Sequence, residues 1–149
     1  MQKICTDIEI NAPADKVWHI LTDFENLSSW NPFMIVKKGK LEEGKRLEVT
    51  LSIPGSRPMT FKPIVLKVDP VKEFRWSGNM WIRGIFDGEH VFRIEKLDEH
   101  RTRLIQCERF RGILAPLILH LMKENIETGF EKMNRSLKNV SEKVSKAHT

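Results

Sequence analysis

Three polar residues stand where the pattern of the chain asks for apolar ones. Phe86, Gly88, His90, Phe92 and Ile94 share one face of an alternating stretch, and Leu104, Gln106, Glu108 and Phe110 share one face of the next. Asp98-Glu99-His100 forms a hairpin tip between them. A turn about Glu99 sets His90 across from Glu108 and Phe92 across from Gln106. The preceding hairpin, centred near Arg83, sets Trp76 beside His90. The expected result is a lateral row of Trp76, His90 and Glu108 on the concave face of a sheet.

An isolated carboxylate or imidazole is costly to bury, but a charge-assisted hydrogen bond between the two offsets part of that cost. Two readings follow. The pair is a satisfied polar contact within a sealed core, or it faces a cavity and orients a ligand. A mostly apolar cavity with a few convergent polar groups is the usual form of a small-molecule site. On the cavity reading, Trp76, Phe86, His90, Phe92, Gln106, Glu108 and Phe110 line the sheet side. Met122, Asn125 and Ile126 line the helix side. His90 and Glu108 are also the candidates for acid–base catalysis, since a carboxylate partner tunes an imidazole for proton transfer.

The elements that must hold these residues are a sheet and one long helix. Leu119, Met122, Ile126, Gly129, Phe130, Met133, Leu137, Val140 and Val144 recur at spacings of three and four, which predicts an amphipathic helix from about Leu114 to Val144. Pro116 suits its first turn, and Lys143 and Lys146 its C-terminal end. Such a helix cannot bury its stripe against itself, so a broad surface must lie beneath it. Ile4–Ile10 alternates as a first strand. Pro13 and Asp15 open a short helix with Val17, Ile20, Leu21 and Phe24 inward, and Phe24–Ser29 a second one.

Strands then follow at Met34–Lys38, Leu47–Ile53, Met59–Val68, Glu73–Met80, Phe86–Glu95 and Arg103–Arg111. Pro63 inside the Met59–Val68 stretch predicts an edge position or a bulge. The connection Trp81-Ile82-Arg83-Gly84 is unusually apolar. Together with Leu117, Leu121 and the 54–58 loop, Trp81 and Ile82 could form an apolar rim, a cavity mouth or a homodimer contact.

Composition narrows the class. The 149 residues fit one domain, 1–149, at 40% hydrophobic and 30% charged content, ordinary for a soluble globular protein. No apolar run approaches the roughly 20 residues that span a bilayer, so stable membrane insertion is not expected. The N-terminus passes straight into a strand, without the form of a signal peptide. The net charge of +5 and pI of 9.3 raise nucleic acid as a partner. The basic residues are interspersed with acidic ones, as in 37–48, which reads as a solvated face rather than a nucleic-acid site. Cys5 and Cys107 make neither a disulfide framework nor a CxxC motif, so free thiols in the cytoplasm are expected. Metal, cofactor and phosphate-loop signatures are lacking, and neither metal nor cofactor is expected.

Several blocks resemble a known superfamily. Ile10-Asn11-Ala12-Pro13-Ala14-Asp15-Lys16-Val17-Trp18, then Leu21–Asn26 and Trp30-Asn31-Pro32-Phe33, are similar to the opening of START/Bet v 1-like (SRPBCC) proteins, polyketide cyclase/dehydrase-like branch. Phe86–Arg93, Glu108–Gly112 and Gly129–Asn134 resemble its later blocks. The resemblance implies an α+β helix-grip fold: a seven-stranded antiparallel sheet wrapped around a long C-terminal helix, with two short helices between strands 1 and 2. It implies binding of a small hydrophobic molecule, lipid-like or polyketide-like. The alternatives are a cyclase/dehydratase-type enzyme with a His–Glu acid/base pair, or a co-chaperone-like interaction module.

Overall fold

Alternation of apolar and polar residues decides most of the architecture. The computed structural model describes residues 2–80 and 83–147. In chain order it contains β1 (Gln2–Ile10), α1 (Ala14–Thr22), a 3-10 helix (Phe24–Ser29), β2 (Met34–Lys38), β3 (Glu48–Leu51) and β4 (Met59–Phe61). There follow β5 (Ile64–Asp69), β6 (Glu73–Met80), β7 (Phe86–Asp98), β8 (Arg101–Arg111) and α2 (Ala115–Ala147). Pro13 stands just before α1 with extended backbone, so its missing N–H costs the helix nothing. Trp81 and Ile82, part of the expected apolar rim, lie outside the described residues.

The fold is α+β and helix-grip-like, with α2 packed against β1, β8 and α1. Its inner stripe of Leu119, Ile126, Phe130, Met133 and Leu137 is at most 4% exposed. Each such side chain contributes about 1.5–3 kcal/mol on burial. The facing sheet supplies Phe74, Trp76, Phe92, Ile94 and Leu104, all buried. Phe74 and Phe92 stack at 4.6 Å, and Phe130 of α2 reaches the His90 ring at 5.1 Å. Helix and sheet therefore meet at the polar row itself.

Two expectations need correction. The single seven-stranded sheet is instead a five-stranded sheet, β1-β8-β7-β6-β5, and a three-stranded sheet, β2-β3-β4. Pro63 is the reason. It has no N–H for a ladder, and the stretch expected as one strand breaks there into β4 and β5. The Pro63 carbonyl accepts from Leu47 N at 2.9 Å, and Val65 exchanges bonds with Gly44 and Lys45. The approach to β3 thus crosses from one sheet to the other.

The second correction concerns the cysteines. They are not free thiols: Cys5 and Cys107 form a disulfide. The β1–β8 register sets them directly opposite, with Cα atoms 4.1 Å apart. A separation of 102 residues hides that pairing from any reading of spacing.

Candidate functional site

The site grows from the β6–β7–β8 register. Trp76 pairs with His90, and His90 pairs with Glu108 while Phe92 pairs with Gln106. Because side chains alternate across a strand, all five fall on the face turned toward α2. His90 Nδ1 lies 2.5 Å from Glu108 Oε2, and His90 Nε2 lies 2.9 Å from Gln106 Oε1. The imidazole is also stacked on Phe92 at 4.3 Å. It is held on both nitrogens and one ring face.

The chain of polar contacts does not stop at Gln106. Gln106 Nε2 donates to Asn134 Oδ1 at 2.8 Å, and Asn134 Nδ2 donates to Thr6 Oγ1 at 2.8 Å. These directions fix the proton on the ring. Gln106 Oε1 is a carbonyl oxygen and can only accept, so His90 Nε2–H is the donor. One further proton lies along Nδ1···Oε2. The arrangement holds one exchangeable proton beside the interior.

What it faces is a cavity between the two sheets and the middle of α2. Phe33, Phe61, Phe86, Phe110 and Phe130 give five rings to its wall, and Leu51, Ile53 and Ile126 the aliphatic part. Glu108 is the charged residue in the lining. Interior room for water-sized molecules is about 40 Å³, within about 470 Å³ of empty space that includes open solvent. At ~10–15 Å³ per water, that room holds a few waters and no organic molecule.

Two glycines make the floor. Gly78 and Gly88 pair directly across β6 and β7. A Cβ on Gly88 would overlap Glu108 Oε1, and one on Gly78 would come within 2.8 Å of the Phe61 ring. Absence of side chains there lets the carboxylate lie flat along the floor. Oε2 is taken by His90, which leaves Oε1 as the acceptor on the cavity side.

Of the residues expected at the site, Phe86, Glu108, Phe110 and Ile126 line the cavity. Trp76, His90, Phe92 and Gln106 are buried behind that wall. Met122 is half-buried against the core. Asn125 is exposed and stands over Gly55 in the 54–58 loop. Asn134 and Thr6 were not among the expected site residues. The available signal was polarity on apolar faces: Thr6 falls between Ile4 and Ile8, and Asn134 adjoins Met133 on the helix stripe. Gly78 and Gly88 carried the same signal as gaps on a face of large side chains.

Elsewhere, Glu73 begins β6 amid Arg75, Lys67 and Arg93. Burial pushes its carboxyl upward, but the Arg75 hydrogen bond and the three positive charges outweigh that and hold it below the ordinary value. No group of three or more His, Cys, Asp or Glu side chains among the described residues could hold a metal ion.

Comparison with known proteins places these features in context. A family model described as polyketide cyclase / dehydrase and lipid transport matches residues 1–142. No curated protein is a significant match. The Zhui aromatase/cyclase from Streptomyces is similar in structure at TM-score 0.77 and 16% identity, over 95% of this chain and 93% of its own. Norcoclaurine synthase from Thalictrum flavum, solved with dopamine and hydroxybenzaldehyde, is similar at TM-score 0.69 and 15% identity, over 93% and 85%. A Chromobacterium violaceum protein is similar at TM-score 0.73 and 17% identity, over 94% and 96%. These likenesses concern the fold.

Proposed function

The chain belongs to the polyketide cyclase/dehydrase and lipid transport family, and from that premise we propose that it binds a small hydrophobic molecule bearing a hydrogen-bond donor. The ligand enters between the sheets and α2, meets the phenyl wall, and donates to Glu108 Oε1. Phe86, Phe110 and Ile126 contact its apolar body, while Trp76, His90, Phe92 and Gln106 support the wall from behind. Met122 and Asn125 stand at the rim, beside the 54–58 loop. One observation carries this reading. A carboxylate lines an otherwise apolar cavity and is held there by a buried chain reaching Asn134 and Thr6. A core needing only stability is served as well by apolar residues of similar volume. The cited fold relative with dopamine and hydroxybenzaldehyde bound supports a ligand of this size. The Cys5–Cys107 disulfide removes the free-thiol ground for the cytoplasm, so the compartment turns on the redox state of the two cysteines in cells.

Calorimetric titration with 2-naphthol and with naphthalene tests the reading. Naphthol is expected to bind at least about tenfold tighter, the worth of one charge-assisted hydrogen bond. Glu108→Leu should abolish that difference. Absence of saturable binding, or a preference for naphthol that survives in Glu108→Leu, rules it out.

A second reading is favoured by the shared proton. With Glu108 in the cavity lining and backed by His90, the two can act as acid and base in a cyclase/dehydratase-type reaction. Conversion of a polyketone thioester, lost in both His90→Gln and Glu108→Gln, distinguishes this from binding alone.

A further inference from the structure

The outward face of α2 changes character along its length. Leu117 and Leu121 stand there in the first two turns, with Leu114 just ahead of the helix, and Glu124, Thr128, Glu131 and Arg135 continue the same face. Ile113, Leu117 and Leu121 are 78%, 56% and 70% exposed, and Leu114 is 39% exposed. Leu114, Leu117 and Leu121 are neighbours at helical spacing, so they form one patch. The leading edge of the patch is tied to the turn ahead of β7. Ile113 N donates to Gly84 O and Leu114 N to Ile85 O, each at 3.0 Å.

Charge selects its partner. From Arg109 to Lys123 the chain has Arg109, Arg111, His120 and Lys123 and neither Asp nor Glu. Glu124 and Glu127 follow, the latter 3.9 Å from Lys123, and Asp87 in the supporting turn accepts from Gly84 N. A second copy meeting this patch about a two-fold axis would set the basic segment against itself. A surface of anionic headgroups over acyl chains matches both the basic residues and the leucines. No helix among the described residues is long and apolar enough to cross a membrane, so the contact lies in the interface plane.

We propose that this end of the molecule docks reversibly on an anionic lipid bilayer, with Ile113, Leu117 and Leu121 entering the headgroup boundary. The two weak signals, an apolar patch and a basic segment, act together, as stable interfacial anchoring requires. None of the four apolar residues lines the cavity, so the inference stands apart from the ligand reading.

Co-sedimentation with vesicles of phosphatidylcholine, alone or with phosphatidylglycerol, tests it. The protein is expected to bind the anionic vesicles at least about tenfold tighter, with the difference shrinking at high salt. The double variant Leu117→Ser/Leu121→Ser should lose about tenfold or more of that binding while keeping its melting temperature and its 2-naphthol affinity. Leu66→Ser, an exposed leucine on β5, should change nothing. Failure to bind either vesicle, or equal binding by the double variant, overturns the proposal. So does a dimer by light scattering that Leu117→Ser/Leu121→Ser dissolves, since a second copy then covers the patch.

Discussion

Gly88 contributes to the site through the side chain it lacks. Its position opposite both Gly78 and Phe110 would ordinarily carry a large apolar residue, and the space left is where Glu108 Oε1 lies. Gly88→Ala should therefore push the carboxylate off the floor and lower 2-naphthol affinity by about tenfold, one charge-assisted hydrogen bond's worth. The fold should persist, because the displaced atom is the end of a flexible side chain. Calorimetric titration beside a thermal melt checks this; unchanged affinity would mean the ligand does not use Oε1. Residues of this kind explain what the sequence could reveal at the finest scale. His90, Gln106 and Glu108 were legible because polar residues broke an apolar face. Asn134 was not, because a helix stripe tolerates polar side chains at its margin, and only a three-dimensional contact joins it to Gln106. The small size of the pocket's interior was also hidden, since it depends on how Phe33, Phe61 and Phe130 fill space together.

Strand register was the most readable feature at the scale of elements, because an inverted register would turn a buried face to water. Sheet count was the least readable, because the break at Pro63 comes with bonds far away in sequence, from Leu47 N to the Pro63 carbonyl and from Val65 N to the Lys45 carbonyl. The disulfide partner of Cys5 was closed to spacing for the same reason. Glu73 sits where three strands meet. It lies opposite Asp69 of β5 and Arg93 of β7 and pairs with Lys67, Arg75 and Arg93, so it ties three strands together. Its folded pKa is held below the usual 4.5. A depressed carboxylate contributes its stabilisation in full above the unfolded pKa and loses it as pH falls through the folded one. Urea unfolding between pH 5 and pH 3 should show wild type losing about 1 kcal/mol more than Glu73→Gln. Equal losses would mean the cluster is neutral in stability.

Across the whole molecule, the two ends of α2 do different work. Beyond Phe130 the helix is clamped: Met133, Leu137 and Ser141 are fully buried, Lys138 donates to the Glu9 carbonyl, and Glu142 accepts from Asn11 N. Ahead of Ile126 its outward leucines are exposed, and the cavity is lined from α2 by Ile126 and Phe130. A pocket with about 40 Å³ of interior room can accept a bicyclic ligand only if that front half and the 54–58 loop part from the sheet. The clamped rear half then serves as the hinge side, since opening there would break buried packing and several long-range bonds together. Local opening follows the regions with the least buried apolar surface. Amide exchange should thus be faster over 115–126 than over 130–141, and saturation with 2-naphthol should slow the front half selectively. Ligand at about 100 times its dissociation constant should also stabilise the fold by about 2.7 kcal/mol. Uniform exchange along α2, or protection appearing only in the rear half, would show that ligand does not enter past the front of the helix.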